Sequence, residues 1–162
     1  MLLLGVIILL IVVMFFVAIL FGAPYLPTMK NQSKEALDLI DLKNGQTLID
    51  LGSGDGRVLK EAAKRGFKVI GYEINPFLVI VSYFVTIKYR KNIIIVWGNY
   101  WRKELPKADG IFVFLLPKYM AKLDNMLHSY KFRPIKLVSF AFMIEGKEPV
   151  QKTKSMFLYE YK

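Results

Sequence analysis

The chain has 162 residues, with 23 Lys and Arg against 13 Asp and Glu, and it contains one histidine and no cysteine. The absence of cysteine excludes disulfides and thiolate metal sites, and with a single histidine it argues against a zinc centre. The length is sufficient for one compact domain but not for a separate substrate domain. The net charge of +10 favours anionic partners, such as lipid headgroups or nucleic acid, over basic ones.

The first 29 residues carry no charged side chain, and residues 2–21 are almost entirely bulky and apolar. As a helix, such a run is long enough to cross the hydrocarbon core of a bilayer, which is about 30 Å thick. It lacks the basic start and the small-residue cleavage site of a secretory signal. We therefore predict a transmembrane anchor over residues 1–22. Lys30, Lys34 and Lys43 beyond it place the folded domain on the cytosolic or matrix side, with the amino terminus outside.

Residues 23–46 are predicted to connect this anchor to the folded domain. The sequence GAPYLPT at 22–28 contains two prolines, which favour a stiff and extended segment. A short helix is predicted over 33–42, with Asn31 or Ser33 as its N-cap and with Asn44 and Gly45 at its end.

The remaining chain, residues 47–162, alternates between strand and helix patterns. We predict strands at 47–51, 67–72, 93–97, 109–116 and 136–142, helices at 57–65, 76–90 and 118–130, and a terminal strand at 155–161 that pairs antiparallel at the sheet edge. This order is typical of an α/β fold with a Rossmann-like, doubly wound, mostly parallel sheet. The helix at 76–90 is apolar on most faces, and we expect it to lie sandwiched between the sheet and neighbouring elements.

The sequence LIDLGSGDGR at 48–57 predicts a buried strand that turns through a glycine loop into a helix. Glycine permits positive φ and close approach of a ligand to the main chain, and the following helix offers free N–H groups. Such a loop suits a nucleotide-like ligand. A dinucleotide-binding loop has its third glycine three positions after the second, whereas here Gly56 follows Gly54 by two.

The sequence GYEINP at 71–76 predicts a second strand that ends at Glu73, about 20 residues beyond the glycine loop. Asn75 and Pro76 are suited to cap and begin the next helix. An acid at this distance lies at the tip of the adjacent strand, where it can bind both ribose hydroxyls of a nucleoside. A structural glycine turn followed by a surface glutamate is the alternative explanation of the two motifs.

With Asp50 in the strand and Asp55 in the loop, DLGSGDGR resembles motif I of the class I S-adenosylmethionine-dependent methyltransferases, and Glu73 resembles their ribose-binding acid. The resemblance implies S-adenosyl-L-methionine as the cofactor, held at the carboxyl ends of the first four strands. It also implies that Asn99 binds the adenine amino group, although this position would suit a turn residue as well. The implied cofactor contacts in the folded domain are Asp50, Gly52, Ser53, Gly54, Asp55, Gly56, Glu73, Asn75, Asn99 and Phe114.

GAPYLPT, followed by these two motifs, resembles a narrower group: the small membrane-anchored protein-lysine methyltransferases that modify the ATP synthase c subunit and the adenine nucleotide carrier, and their prokaryotic relatives. In that group the segment folds back over the cofactor site, which implies cofactor or substrate contacts for Tyr25 and Thr28. A lysine threaded into an aromatic channel loses its proton more readily than one in water. We predict Tyr25, Tyr100 and Trp101 as catalytic residues that line such a channel, with Phe114 as a further candidate. Each of these aromatics could instead pack in the core.

The sequence thus predicts an S-adenosylmethionine-dependent N-methyltransferase that modifies a lysine of a membrane protein and uses no metal. Basic residues are expected to hold the active face near an anionic membrane surface, namely Lys30, Lys34, Lys88, Arg90, Lys91, Arg102 and Lys103. A lipid or quinone methyltransferase, a nucleic-acid methyltransferase and a non-catalytic cofactor-binding module remain alternatives. Enzymes that methylate exocyclic base nitrogens carry Asn or Asp and then Pro-Pro-aromatic at the end of the fourth strand. The FLLP sequence at 114–117 lacks this signature, which disfavours nucleic acid as the substrate.

Overall fold

The computed structural model describes residues 30–162 together with Gly5, Val6 and Leu9. Apart from those three positions, the predicted anchor at 1–22 and the segment at 23–29, with Tyr25 and Thr28, lie outside the described residues. Within the described residues, no helix is both long and apolar enough to cross a membrane.

A seven-stranded sheet forms the centre of the domain, in the order β3-β2-β1-β4-β5-β7-β6. The five strands β1 to β5 are parallel, whereas β7 runs antiparallel to both β5 and β6. The predicted α/β fold with a mostly parallel sheet is therefore confirmed. The strands are β1 Thr47–Leu51, β2 Lys68–Glu73, β3 Ile93–Trp97, β4 Gly110–Val113, β5 Ile135–Phe140, β6 Gln151–Lys152 and β7 Met156–Tyr161.

The terminal strand pairs antiparallel, as predicted, but it does not form the sheet edge. That edge is β6, which has only two residues and pairs with β7. Two residues are too few to produce a recognisable alternation of apolar and polar side chains, so the sequence did not reveal this strand.

Four α-helices cover the sheet: α1 Lys30–Ile40, α2 Arg57–Lys64, α3 Pro76–Val85 and α4 Met120–His128. Short 3-10 turns occur at Ile87–Tyr89, Tyr100–Arg102 and Pro117–Tyr119. The predicted helix at 76–90 is wrong at its end, because α3 stops at Val85. There the Ser82 carbonyl accepts from both the Thr86 hydroxyl at 2.7 Å and the Thr86 N–H at 3.0 Å, and the regular helix ends. The start of α3 is as predicted, since the Asn75 side chain accepts from the Phe77 N–H at 2.9 Å.

The core occupies both faces of the sheet. On one face, Leu48 of β1 and Val69 of β2 pack with buried residues of α1 and α2. On the other, Ile49 and Leu51 of β1 pack with Leu123 of α4 and its neighbours. Successive strand residues therefore point to opposite layers, which is why the central strands read as continuous apolar runs.

The expectation that the helix at 76–90 is sandwiched between other elements is wrong. Ser82 is the only buried residue of α3, and the side chains of Phe77, Ile80 and Phe84 are 56%, 56% and 65% exposed. The cause is the position of this helix beside β3, the outermost strand on that side of the sheet. Among the described elements, α3 packs against β2, β3 and α2 on one side only.

Close packing between α2 and α3 depends on Gly56. This residue is the N-cap of α2 and has a φ of 81°. A Cβ atom at this position would lie 2.2 Å from Ser82 Oγ and 3.1 Å from Thr86 Cγ2. Gly56 therefore satisfies two requirements at once, a left-handed backbone and room for the neighbouring helix.

We expect Gly56→Ala to destabilise the protein more than Gly45→Ala. Gly45 has a φ of 85°, and a Cβ atom there would meet nothing within 4 Å, so its variant carries the backbone cost alone. That cost is about 1–2 kcal/mol, and overpacking against Ser82 adds about 1–3 kcal/mol. Denaturant unfolding of both variants measures the difference. Equal losses would show that α3 can move away without cost.

Candidate functional site

The site lies where the strand order reverses, with β2 on one side of β1 and β4 on the other. In open α/β sheets, ligands bind outside the carboxyl ends of the strands at this point. The loops at 52–56, 74–75, 98–101 and 114–117 follow β1 to β4 there. The structure thus brings the four predicted loops to one edge of the sheet.

The glycine loop after β1 is fixed onto the neighbouring strand. The N–H groups of Gly52 and Ser53 both donate to the Tyr72 carbonyl at 2.9 Å. Gly52 has a φ of 99°, and a Cβ atom built on it would meet nothing within 4 Å. A ligand could therefore approach the main chain at Gly52 without displacing protein atoms.

Gly71, inside β2, is a residue that sequence reasoning did not single out. A Cβ atom there would lie 2.8 Å from Ser53 Oγ and 2.6 Å from Leu59 Cδ1. The missing side chain lets the glycine loop and α2 lie directly on the sheet. A glycine within an otherwise apolar strand pattern was the signal, because it often marks such a close approach.

Glu73 joins two of these loops through its carboxylate. Oε2 accepts from the Gly54 N–H at 2.9 Å, and Oε1 accepts from the Asn75 N–H at 2.8 Å. The side chain is 7% exposed, so its orientation is fixed by hydrogen bonds and packing. Because a carboxylate has about four acceptor positions, about two remain for the hydroxyls of a ligand.

Asp50 stands close to both Glu73 and Asp55. Burial, together with the negative charges of Glu73 and Asp55, raises the pKa of Asp50 from its ordinary 3.8 to about 8. Asp55 is instead paired with Arg57, whose guanidinium Nη2 atom lies 2.6 Å from the Asp55 Oδ2 atom. The predicted contacts Asp50 and Asp55 are thus both near the glycine loop, but the carboxylate of Asp55 is engaged within the protein.

Ser53 presents a polar atom that the surrounding protein does not satisfy. Its hydroxyl is buried and has no hydrogen-bond partner among the described residues. Buried polar atoms are nearly always paired, so an orphaned one beside a loop of this kind fits a ligand that supplies the partner. The open face of Gly52, the Ser53 hydroxyl and the free acceptor positions of Glu73 together fit a nucleoside-bearing cofactor.

Asn99 has a structural role in addition to any ligand contact. Its Oδ1 atom accepts from the Trp101 N–H at 3.0 Å and so caps the turn Tyr100–Arg102. The preceding Gly98 N–H donates to the Glu73 carbonyl at 2.8 Å. The loop after β3 is therefore attached to the same residue as the other two loops.

The predicted aromatic residues divide between the two faces of the sheet. Tyr100 and Trp101 pack on the α4 face, with ring centroids 4.7 Å apart, and Tyr119 lies 6.3 Å beyond Trp101. Phe114 packs on the opposite face, 4.6 Å from the ring of Phe140. Phe114 is therefore separated from the other two aromatics, whereas Tyr119, which the sequence did not single out, adjoins them.

The phenol of Tyr100 is held in its neutral form. Burial, followed by the nearby Tyr119 and the Glu73 carboxylate, raises the pKa of Tyr100 well above its usual range. A neutral phenol can both donate and accept a hydrogen bond. Within residues 30–162, no group of His, Asp and Glu side chains is arranged to hold a metal ion.

Known proteins resemble this chain in sequence and in fold. The family model described as the ANTKMT methyltransferase domain matches residues 50–151. The chain is 31% identical to a lysine N-methyltransferase of the ATP synthase c subunit from Xenopus laevis, over 65% of this chain and 47% of that protein, so it spans about half the length of that relative. It is 28% identical to a protein-lysine N-methyltransferase of Saccharolobus islandicus (strain REY15A), over 81% of this chain and 84% of that protein.

A solved structure shares most of the fold. It is an RNA methyltransferase from Salinibacter ruber in complex with S-adenosyl-L-homocysteine, with a TM-score of 0.79 and 25% sequence identity. The superposition covers 83% of this chain and 93% of that one.

We expect Asp50→Asn to be more stable than wild type at alkaline pH in the absence of ligand. Because the pKa of Asp50 is higher in the folded protein than its ordinary value, its protonation favours folding at low pH, and this contribution is lost as the pH increases from about 4 to about 8. Asparagine does not ionise, so the variant does not lose this stability. At pH 9 its free energy of unfolding should exceed that of wild type by about 1–3 kcal/mol, and that free energy should depend less on pH. Urea unfolding of wild type and variant from pH 5 to 9 measures this difference in the free energy of unfolding.

Glu145→Gln is the matched control, since the side chain of Glu145 is exposed. It should leave the pH profile of the free energy of unfolding almost unchanged. A parallel profile for wild type and Asp50→Asn would contradict the raised pKa.

Proposed function

We propose, on the premise that the chain belongs to the ANTKMT methyltransferase domain family, that it is an S-adenosylmethionine-dependent protein-lysine N-methyltransferase acting on a membrane-associated protein. Family membership confirms the resemblance to class I methyltransferases that the glycine motif predicted. The observation that carries the proposal is the Glu73 carboxylate, fixed between the Gly54 and Asn75 N–H groups beside an open glycine loop.

The cofactor assignment follows from the chemistry of this edge of the sheet. Glu73 offers acceptors for ribose hydroxyls, Ser53 offers an unpartnered hydroxyl, and Gly52 leaves the main chain open. Bound S-adenosylmethionine would supply an electrophilic methyl group on its sulfonium. The Salinibacter ruber neighbour holds S-adenosyl-L-homocysteine, the demethylated form of that molecule, which supports the same cofactor here.

For a lysine acceptor, the protein must present a neutral amine in the correct orientation. The aromatic side chains of Tyr100, Trp101 and Tyr119 adjoin one another, and Tyr100 lies near Glu73. The ammonium groups of Lys122 and Lys118 lie 4.6 Å and 5.0 Å from the ring centroids of Trp101 and Tyr119. Burial among these rings and the nearby positive charges would both lower the pKa of an acceptor lysine. The neutral Tyr100 phenol can accept a hydrogen bond from the amine and orient its lone pair. We propose Tyr100 and Trp101 as the residues that contact the acceptor, joined by Tyr25 from the segment before α1.

The proposed membrane location rests on the sequence before α1. The apolar run at 2–21 has the length of a transmembrane helix, and Lys30, Lys34 and Lys43 follow it. We propose a single-pass protein with its amino terminus outside and its catalytic domain on the cytosolic or matrix side. Such an anchor keeps the active site near the bilayer and favours substrates embedded there. The Xenopus laevis relative is named for a lysine of an ATP synthase component, which supports a protein acceptor.

Nucleic-acid methylation is the second candidate, because the Salinibacter ruber neighbour is an RNA methyltransferase and the chain has a net charge of +10. The FLLP sequence after β4 opposes it, since no side chain there is suited to hold a base amine. A lipid or quinone acceptor would share both the anchor and the cofactor site.

We expect Glu73→Gln to weaken binding of S-adenosyl-L-homocysteine by about 1.5–3 kcal/mol, since charge-assisted hydrogen bonds to the ribose are lost. Isothermal titration calorimetry on the full chain in detergent measures this change. Glu145→Gln, at an exposed position, is the matched control and should bind as wild type. Unchanged affinity in Glu73→Gln would contradict the cofactor assignment.

The acceptor is tested by incubating membranes of cells that lack the gene with the purified protein and S-adenosylmethionine labelled in its methyl group. Protein, lipid and RNA fractions are then counted separately, with Glu73→Gln as the inactive control. We expect label in protein, and a mass increase of one or more methyl groups on a lysine. Label confined to lipid or to RNA would replace the protein-lysine proposal with the corresponding alternative.

A further inference from the structure

The outer surface of α3 and the end of β3 form an apolar surface that the described part of the chain leaves uncovered. We call it the apolar α3 face. All of its members are exposed, large and hydrophobic: Ile74, Phe77, Ile80, Tyr83, Phe84, Ile87 and Trp97.

Helical spacing places most of these side chains together. Phe77, Ile80, Phe84 and Ile87 follow one another at intervals of three or four residues, which puts them on one side of the helix and of the turn after it. Trp97 joins them from β3, since its indole Nε1 donates to the Ile74 carbonyl at 3.1 Å while its ring remains 65% exposed. Soluble proteins rarely expose apolar side chains in such a contiguous group, and those that do usually cover it with a partner.

The charged residues of the segment that carries this face are all basic. From Ile74 to Lys103 the chain contains five basic residues and no acidic one. Lys88, Arg90 and Lys91 are exposed just beyond α3, and the Arg90 guanidinium lies 4.3 Å from the centroid of the Tyr83 ring. α3 itself carries no charged residue, and its basic border comes from the turn that follows it. Exposed apolar and aromatic side chains beside such cations suit the headgroup region of an anionic bilayer, where the rings meet the acyl boundary and the cations meet the lipid phosphates.

The apolar α3 face adjoins the functional site. Ile74 stands between Glu73 and Asn75, and Trp97 immediately precedes the loop that carries Asn99. A surface resting on this face would therefore meet the same edge of the sheet that receives the cofactor.

The helix α1, the first element of the folded domain, begins at this same edge, at the carboxyl ends of the strands. The carboxyl end of α1 lies at the amino ends of the strands, because the Ile40 carbonyl accepts from Lys136 Nζ at 3.0 Å and the Ile40 side chain crowds Gly110. Since α1 packs along the sheet, its amino end at Lys30, where residues 1–29 join the fold, points toward the carboxyl ends of the strands.

We propose that the apolar α3 face inserts into the headgroup region of an anionic lipid bilayer and orients the active site toward it. The biological purpose of this contact rests on the proposed reaction at a membrane, but the experiment that tests the contact does not. Residues 1–29 are a poorer occupant, because they carry no charge to complement Lys88, Arg90 and Lys91. A second copy of the chain is also poorer, since a symmetric contact would bring the same cations together.

The test uses the tryptophans as depth probes in the full-length protein, reconstituted in vesicles. The chain has two tryptophans, so Trp101→Phe leaves Trp97 as the only one, and excitation at the red edge of the absorption band avoids the tyrosines. We expect lipids brominated in the upper acyl chain to quench Trp97 in vesicles that contain phosphatidylglycerol. In phosphatidylcholine alone the quenching should be weaker. It should also weaken at high salt, where the Debye length falls to about 3 Å at 1 M.

Phe84→Glu in the same background should abolish the quenching, because it places a charge in the centre of the face. Val150→Glu is the matched control, since Val150 is 62% exposed and precedes β6 at the other end of the sheet. It should leave the quenching unchanged. Ile80→Ser provides a second disruptive variant without added charge, and circular dichroism checks that each variant is folded.

Three results would overturn the proposal, and none depends on turnover. Equal quenching of Trp97 in Phe84→Glu and Val150→Glu would mean that the anchor alone brings lipid near. Shielding of Trp97 from both acrylamide and brominated lipid in phosphatidylglycerol vesicles would assign the face to residues 1–29. The same double shielding, if a lower protein-to-lipid ratio relieves it, would assign the face to a second copy.

Discussion

Three loops of the site depend on one residue, Glu73. Its side chain accepts from the Gly54 and Asn75 N–H groups, and its backbone carbonyl accepts from the Gly98 N–H. These bonds connect the loops after β1, β2 and β3 at the edge of the sheet. Because the carboxylate is almost completely buried, removing it would leave two N–H groups unpaired as well as an empty space. The same carboxylate therefore maintains the shape of the site and keeps about two acceptor positions there that the loop N–H groups do not use.

The site combines close packing with a cluster of acidic side chains. Gly71 and Gly56 let the glycine loop, α2 and α3 approach one another, and any side chain at either position would collide with Ser53 or Ser82. The approach brings Asp50 near Glu73 and Asp55, so that burial and like charges raise the pKa of Asp50. Because this pKa lies above neutrality, Asp50 is mostly protonated near pH 7, and the fold carries the cost of a buried carboxyl group there. Functional sites commonly retain such local costs because the rest of the structure tolerates them.

Local patterns predicted more of this molecule than non-local ones. The glycine loop, the strand ending at Glu73 and the cap at Asn75 are encoded within a few residues, and the sequence located all three correctly. The exposure of α3 was mispredicted, since an apolar helix has the same pattern whether or not another element lies beyond it. The separation of Phe114 from Tyr100 was also hidden, because it depends on which face each loop residue points to after its strand ends. Tyr25 and Thr28 remain predictions outside the described residues.

The two edges of the sheet differ in how readily they would pair with a strand of another polypeptide chain. At one edge, the strand β6 has only two residues, Gln151 and Lys152, and both are polar and exposed. Such a short polar strand discourages pairing with another sheet. At the other, β3 reads IIIVW, with Ile94 59% exposed, and it offers an apolar template to any extended chain. Aggregation, if it occurs, should therefore begin from the β3 side. A bilayer resting against the neighbouring α3 would shield that side during synthesis and refolding, so the lipid surface would serve colloidal stability as well as catalysis.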